Sequence, residues 1–187
     1  MRVIGGELRG RKLAAPAHAG LRPTSDRVRE AVFDILFSLG GVGGARVADL
    51  FAGSGALGIE ALSRGASSLT FVERDSTTIA GLRRNLGAVG LDGAERSGTA
   101  LVVRADAVAW AATTDARYDI VLCDPPYAFT AWASLLAALR ADVAVLESAR
   151  EPELPAGWAF LRSRRYGGTL VTVARSDRAP VPVKGAW

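Results

Sequence analysis

Two short segments of this 187-residue sequence collect residue types that can do chemistry. The first is Asp49-Leu50-Phe51-Ala52-Gly53-Ser54-Gly55-Ala56-Leu57-Gly58. Its glycines let a backbone turn tightly and approach a ligand without Cβ clashes, and a helix opening behind them offers N–H groups. Glu73, followed by Arg74, ends the next apolar run, where a carboxylate can accept both hydroxyls of a ribose. Asp106-Ala107, after a further run, can hold an adenine edge. The pattern predicts an adenosine-bearing cofactor at the switch point of an open sheet. Its candidate contacts are Asp49, Phe51, Gly53, Ser54, Gly55, Glu73, Arg74, Asp106, Ala107 and Asp124.

Gly53-x-Gly55-x-x-Gly58 literally matches the dinucleotide fingerprint, so the choice of cofactor rests on charge. Asp49, four residues before Gly53, would repel a pyrophosphate but could pair with a cationic amino group. S-adenosylmethionine carries an ammonium and a sulfonium and suits that carboxylate better than NAD does. A purely structural strand-to-helix turn is the bland alternative.

The second segment is Asp119-Ile120-Val121-Leu122-Cys123-Asp124-Pro125-Pro126-Tyr127, an acid, two prolines and an aromatic closing an apolar run. Prolines fix φ and remove N–H donors, so the neighbouring carbonyls can be held rigidly. Tyr127 offers a flat face to a base, a contact worth roughly 1–3 kcal/mol. Asp124, Pro125, Pro126 and Tyr127 are the candidate catalytic residues, with Phe129 and Thr24 as further candidates for a base pocket. The chemistry they suit is methylation of an exocyclic nucleobase amine. Such a nitrogen is planar and poorly nucleophilic, and hydrogen bonds from its N–H groups to a carboxylate and a proline carbonyl favour pyramidal geometry. They also stabilise the charge that develops during attack. In-line alignment does much of the remaining work, once the base has left its stack.

The elements that must position these residues are legible from residue 45 onward. Apolar runs predict strands over Arg46–Leu50, Leu69–Glu73, Leu101–Arg104, Ile120–Cys123 and Val143–Glu147, of the unalternating kind that is covered on both faces. Helices are expected over Ala56–Arg64, Thr77–Val89, Ala107–Ala112 and Ala131–Leu139, with Leu91–Thr99 irregular. Repeated strand–helix units imply a parallel sheet with right-handed crossovers. Trp158–Arg165 and Thr169–Ala174, split by Gly167-Gly168, read as an antiparallel hairpin closing it. Upstream, Met1–Ile4 and Lys12–Ala15 suggest a small basic hairpin. An amphipathic helix then opens at Pro23-Thr24-Ser25-Asp26, capped by Ser25 or Asp26 and stopped by Gly40-Gly41. The expectation is one α/β domain over 1–187: a basic N-terminal hairpin (1–22), a helix (23–40) and a Rossmann-like core (45–187).

Composition narrows the class. The chain is 49% hydrophobic and 22% charged, enough for a core. It contains no apolar run of the roughly 18 residues a membrane span needs. One cysteine and one histidine cannot make a zinc set, and the first residues lack a signal peptide's apolar centre. The expectation is a soluble cytoplasmic monomer without a structural metal. The net charge is +4. Arg2, Arg9, Arg11, Lys12 and Arg22 against Glu7 place an excess of that size in the first 25 residues, which suggests a polyanion partner. A preference for arginine over lysine is a matter of composition; its clustering at one end is not.

Taken together, Asp49–Gly58, Glu73, Asp106 and Asp124–Tyr127 resemble a class I S-adenosylmethionine-dependent methyltransferase of the amino-methylating branch. Met1–Leu13 and Gly20–Glu30, with Phe51–Arg64, narrow this: the chain resembles the RsmD family, bacterial 16S rRNA guanine-966 N2-methyltransferases. The resemblance spans nearly the whole chain, although the glycine loop and Asp-Pro-Pro-Tyr are shared by many methyltransferases. It implies a mostly parallel seven-stranded sheet and S-adenosylmethionine in the cleft. It also implies that Asp124 and its prolines position guanine N2, and that the substrate is 16S rRNA in an assembling 30S small ribosomal subunit. Arg2, Arg9, Arg11, Lys12, Arg22 and Thr24 would then lie near RNA.

Other readings stay in view. A DNA adenine-N6 methyltransferase also uses an acid or amide before Pro-Pro-aromatic, but normally carries a target-recognition domain. A protein-glutamine methyltransferase prefers Asn at the Asp124 position. A non-catalytic RNA-binding assembly factor would not need both motifs intact. His18 reads as a loop residue and Cys123 as packing, since a cytosine-methylating nucleophile follows a proline instead of preceding an acid. Trp110, Trp132 and Trp158 read as core, while Arg162, Arg164 and Arg165 could face phosphates or simply solvent.

Overall fold

The computed structural model describes residues 1–15 and 26–179. Runs such as Arg46–Leu50 (β1) and Tyr118–Cys123 (β4), buried at four of five and five of six positions, have no face to give to solvent and become interior strands. Ser68–Glu73 (β2) and Ala100–Arg104 (β3) extend the sheet on one side of β1. Ala141–Ser148 (β5), Trp158–Tyr166 (β6) and Thr169–Ser176 (β7) extend it beyond β4. The order is β3-β2-β1-β4-β5-β7-β6, parallel up to β5 and antiparallel through β7 and β6. This is the class I methyltransferase sheet.

The helices are Asp26–Ser38 (α1), Ala56–Ser63 (α2), Ser76–Ala88 (α3), Ala94–Ser97 (α4), Ala107–Thr113 (α5) and Trp132–Ala138 (α6). Two apolar cores lie on opposite faces of the sheet. One gathers α1, α2 and α3 around Val47, Phe71, Leu122, Val145 and Val173. The other gathers α5 and α6 around Ala48, Leu50, Val121, Cys123, Ala144 and Leu146. The alternation of side chains along each strand therefore decides which residues beyond its end face α1 and α2.

Cys123 and Trp132 are buried, and Trp110 and Trp158 pack against the second core, as their sequence setting suggests. The expected N-terminal hairpin is present: Arg2 pairs antiparallel with Lys12, flanked by the Val3 N–H to Arg11 carbonyl and Leu13 N–H to Met1 carbonyl hydrogen bonds, while the residues between them hydrogen-bond to α2. One expectation needs correction. Leu91–Thr99, expected to be irregular, contains α4, a four-residue turn too short to leave a periodic signature. His18, Arg22, Thr24 and Ser25 lie outside the described residues.

The N-terminal segment is built into the fold by polar contacts. Glu60 of α2, fully buried, accepts the N–H groups of Ile4 and Gly5 at 2.7 Å and the Arg64 Nε–H at 2.8 Å. Arg29 of α1, equally buried, donates to Asp26 at 2.9 Å and to the Arg2 carbonyl, and lies 3.9 Å from Glu60. Gly6, with φ 74°, passes so close that a Cβ would lie 1.8 Å from the Ser63 carbonyl oxygen. No larger residue fits there.

Candidate active site

β1 and β4 are adjacent, but the chain leaves β1 toward β2 and leaves β4 toward β5. Their C-terminal ends thus form the switch point where open α/β sheets bind ligands. The glycine segment starts at one of these ends and the Asp-Pro-Pro-Tyr segment at the other.

The glycine turn takes shape from its residue types. Phe51 has φ 63°, unusual outside glycine, and Gly53 and Gly55 have φ 55° and 78°. Gly55 opens α2. A Cβ on Gly53 would meet no heavy atom closer than 3.8 Å, so its surface is open to a ligand. Gly58 has a different purpose: a Cβ there would lie 2.4 Å from both Leu69 and Phe71. Its absence lets α2 sit against β2. The buried Ser54 carbonyl accepts from Asn85 Nδ2 at 2.9 Å, which fixes the turn to α3.

Carboxylates line this end of the sheet. Asp49, 1% exposed, accepts the Gly58 N–H at 2.9 Å. Burial pushes its carboxyl well above the ordinary aspartate range, the Gly58 hydrogen bond opposes this, and Asp124 and Glu73 add to it. Glu73, half-buried, accepts from Gly53 N–H at 3.1 Å and Asp75 N–H at 2.9 Å. Asp106 is exposed and caps α5, with one oxygen accepting from Val108 and Ala109 at 3.0 Å. Ala107 is buried behind it, and Arg74 is exposed, its carbonyl accepting from Arg104 at 3.4 Å.

Opposite, Asp124 is half-buried, Pro125 buried, and Pro126 and Tyr127 exposed. The Pro126 carbonyl accepts the Phe129 N–H at 2.8 Å, closing the turn, and the Tyr127 hydroxyl lies 3.4 Å from that of Thr169. Phe129 stands edge-on between Phe51, at 5.1 Å, and Trp132, at 4.9 Å, so that the glycine turn, the proline turn and α6 share one aromatic contact. A cleft of about 420 Å³, within the usual range for ligand pockets, runs between residues 125–130 and 147–151. Cys123 is buried and its thiol pushed up by burial, then by Asp49 and Asp124, which leaves it inert.

These features fit S-adenosylmethionine: an open glycine turn between acceptors and a preponderance of negative charge. Comparison with known proteins gives the lineage. The family described as Conserved hypothetical protein 95 matches residues 1–175. The Ribosomal RNA small subunit methyltransferase D of Escherichia coli K12 is 38% identical over 177 residues, 89% of this chain and 85% of that one. The chain belongs to the RsmD family. The solved structure of the Escherichia coli yhhF protein superposes with a TM-score of 0.79 at 36% identity, covering 94% of this chain and 97% of its own. A hypothetical protein of Thermus thermophilus gives 0.74 at 31% identity, covering 92% and 98%.

In this RsmD-family chain the basic N-terminal residues Arg2, Arg9, Arg11 and Lys12 are all exposed. Arg11 also donates to the Val89 carbonyl just beyond α3, so part of its charge serves the fold. Arg162, Arg164 and Arg165 lie exposed on the edge strand β6, with Arg164 stacked 5.5 Å from the Tyr166 ring centre. One acid escaped the sequence reading. Glu147, the penultimate residue of β5, is 4% exposed and lines the cleft. An acid near the end of an apolar strand was the available signal, but its burial depends on what packs over that face of β5, where Arg29 of α1 is among the charges acting on it.

Proposed function

We propose that this protein transfers a methyl group from S-adenosylmethionine to the exocyclic N2 of a guanine in 16S rRNA, guanine 966 by family resemblance. We take it to act as a cytoplasmic monomer on the 30S small subunit or its assembly intermediate. The observation that carries this reading is the placement of Asp124-Pro125-Pro126-Tyr127 across the β1/β4 switch point from an open glycine turn flanked by Asp49 and Glu73. The name of the Escherichia coli relative supports the RNA substrate.

When bound, the donor supplies an electrophilic methyl group on a sulfonium. Gly53, Ser54 and Gly55 present backbone to its amino-acid portion, and Asp49 gives negative charge to its ammonium. Glu73 receives the ribose hydroxyls beside the amides it already holds, with Phe51, Arg74, Asp106 and Ala107 bordering the adenosine. Asp124 and the Pro125 carbonyl accept the two N–H groups of the target amine and turn its lone pair toward the methyl. The Asp124 carboxylate also stabilises the positive charge that grows on nitrogen as it attacks. Tyr127 stacks on the extruded base. The extra proton leaves to solvent, so no strong base is required. Arg2, Arg9, Arg11 and Lys12, with Arg22 and Thr24 outside the described residues, hold RNA phosphates.

The test is incubation with labelled methyl donor and undermethylated 30S subunits, followed by mapping of the modified base. Label in N2-methylguanine of 16S rRNA is expected; label in an adenine, or none in RNA, overturns the proposal.

A further inference from the structure

Asp49, Glu73 and Asp124 have roles in the reading above; Glu147 has none. The register pairs Cys123 with Leu146, which brings Asp124 and Glu147 side by side one residue further along. By strand alternation both face the same side as Leu122 and Val145. Glu147 borders the cleft together with Pro125, Pro126, Tyr127 and Phe129, on the far side of β4 from Glu73 and the glycine turn. Its Oε1 is buried and has no hydrogen-bond partner among the described residues. A buried acceptor without a donor is destabilising, and such a cost persists where a ligand supplies the missing group. Burial raises its carboxyl well above the ordinary glutamate range, Asp124 and Asp49 add to this, and Arg29 opposes it.

The base expected in this cleft has the matching donor. Guanine places an N1–H directly beside its exocyclic amine. In adenine and cytosine the ring nitrogen beside the amine is an acceptor, which would face a carboxylate lone pair to lone pair. We propose that Glu147 is a specificity-determining residue whose carboxylate accepts the guanine N1–H, while Asp124 accepts from the neighbouring N2 amine. This rests on the guanine-N2 reading above and adds the group that enforces it. A site built to hold a substrate N–H rejects analogues lacking it far more strongly than a shape-matched pocket can.

The test uses two RNA substrates, one with guanine at the target and one with 2-aminopurine, which keeps the N2 amine but has an unprotonated N1. Wild-type protein is expected to prefer guanine in kcat/KM by about 10²-fold or more. In Glu147→Gln, whose amide can donate to the 2-aminopurine N1, that preference is expected to fall at least about ten-fold while the Kd for S-adenosylmethionine stays at the wild-type value. If turnover is too slow to compare, the same preference is read from binding of the two RNAs with S-adenosylhomocysteine present. If the amide variant does not fold, Glu147→Asp, which withdraws the carboxylate by one methylene, takes its place with the same expected loss of preference. An unchanged preference overturns the role of Glu147 alone. Wild-type protein that leaves guanine N2 unmethylated overturns the proposed function, and this inference with it.

Discussion

Asn85 of α3 holds Ser54 of the glycine turn, its Nδ2 donating to the Ser54 carbonyl at 2.9 Å, while the same side chain brackets Ala14 through that residue's N–H at 2.8 Å and carbonyl at 3.1 Å. One buried amide thus links the basic N-terminal segment to the glycine turn at the switch point. Its truncation leaves the Ser54 and Ala14 groups without their partner. Asn85→Ala is expected to cost about 2–4 kcal/mol in urea unfolding and to raise the S-adenosylmethionine Kd about ten-fold by calorimetry.

Asp124 is argued to act on the target amine more than on the donor. Asp124→Ala is expected to lower labelled-methyl transfer by about 10²–10³-fold. The donor Kd should change by no more than about three-fold. Turnover near the wild-type rate would remove Asp124 from the mechanism.

Asp49 sets stability against binding. Its folded carboxyl holds a proton more tightly than the unfolded chain does, so stability falls as pH rises from the ordinary aspartate value of 3.8 through the raised folded one. Asn keeps an acceptor for the Gly58 N–H and removes the charge. Asp49→Asn is expected to melt at a higher temperature than wild type at pH 7, with the gain disappearing as pH approaches 3.8, and to bind S-adenosylmethionine more weakly. Equal melting temperatures at both pH values would contradict the burial argument.

Arg9, Arg11 and Lys12 are exposed on the segment read as the RNA-facing one. Their joint replacement by Ala is expected to weaken binding of a 16S fragment and flatten the log Kd against log salt slope by about 2. An unaltered slope would place the phosphates elsewhere, with the β6 arginines the next to test.

Much of this architecture is legible in the sequence because both faces of the sheet are covered. β1 begins and ends at the residues where its apolar run does, and the other strands extend their runs by one to three residues in all. The glycine and Asp-Pro-Pro-Tyr segments are legible for the same reason, since each hangs from the end of such a run. What the sequence conceals is pairing at long range. Nothing near Glu60 announces that Arg29 and the Ile4 and Gly5 amides will share its carboxylate. Asp49 and Asp106 read as ligands, yet each also satisfies backbone N–H groups of its own fold. Glu147 becomes notable only when the β4–β5 register sets it beside Asp124 at the cleft.

Phe129 has a consequence for how such a cleft can change over time. Wedged between Phe51 and Trp132, it ties the glycine turn and the proline turn to a common anchor, so neither can be remodelled alone without disturbing the other. The opposite wall, from Glu147 to Glu151, carries no such aromatic tie to the glycine turn among the described residues. On the proposed function, selectivity for a new acceptor can therefore evolve on that wall while donor geometry is inherited intact.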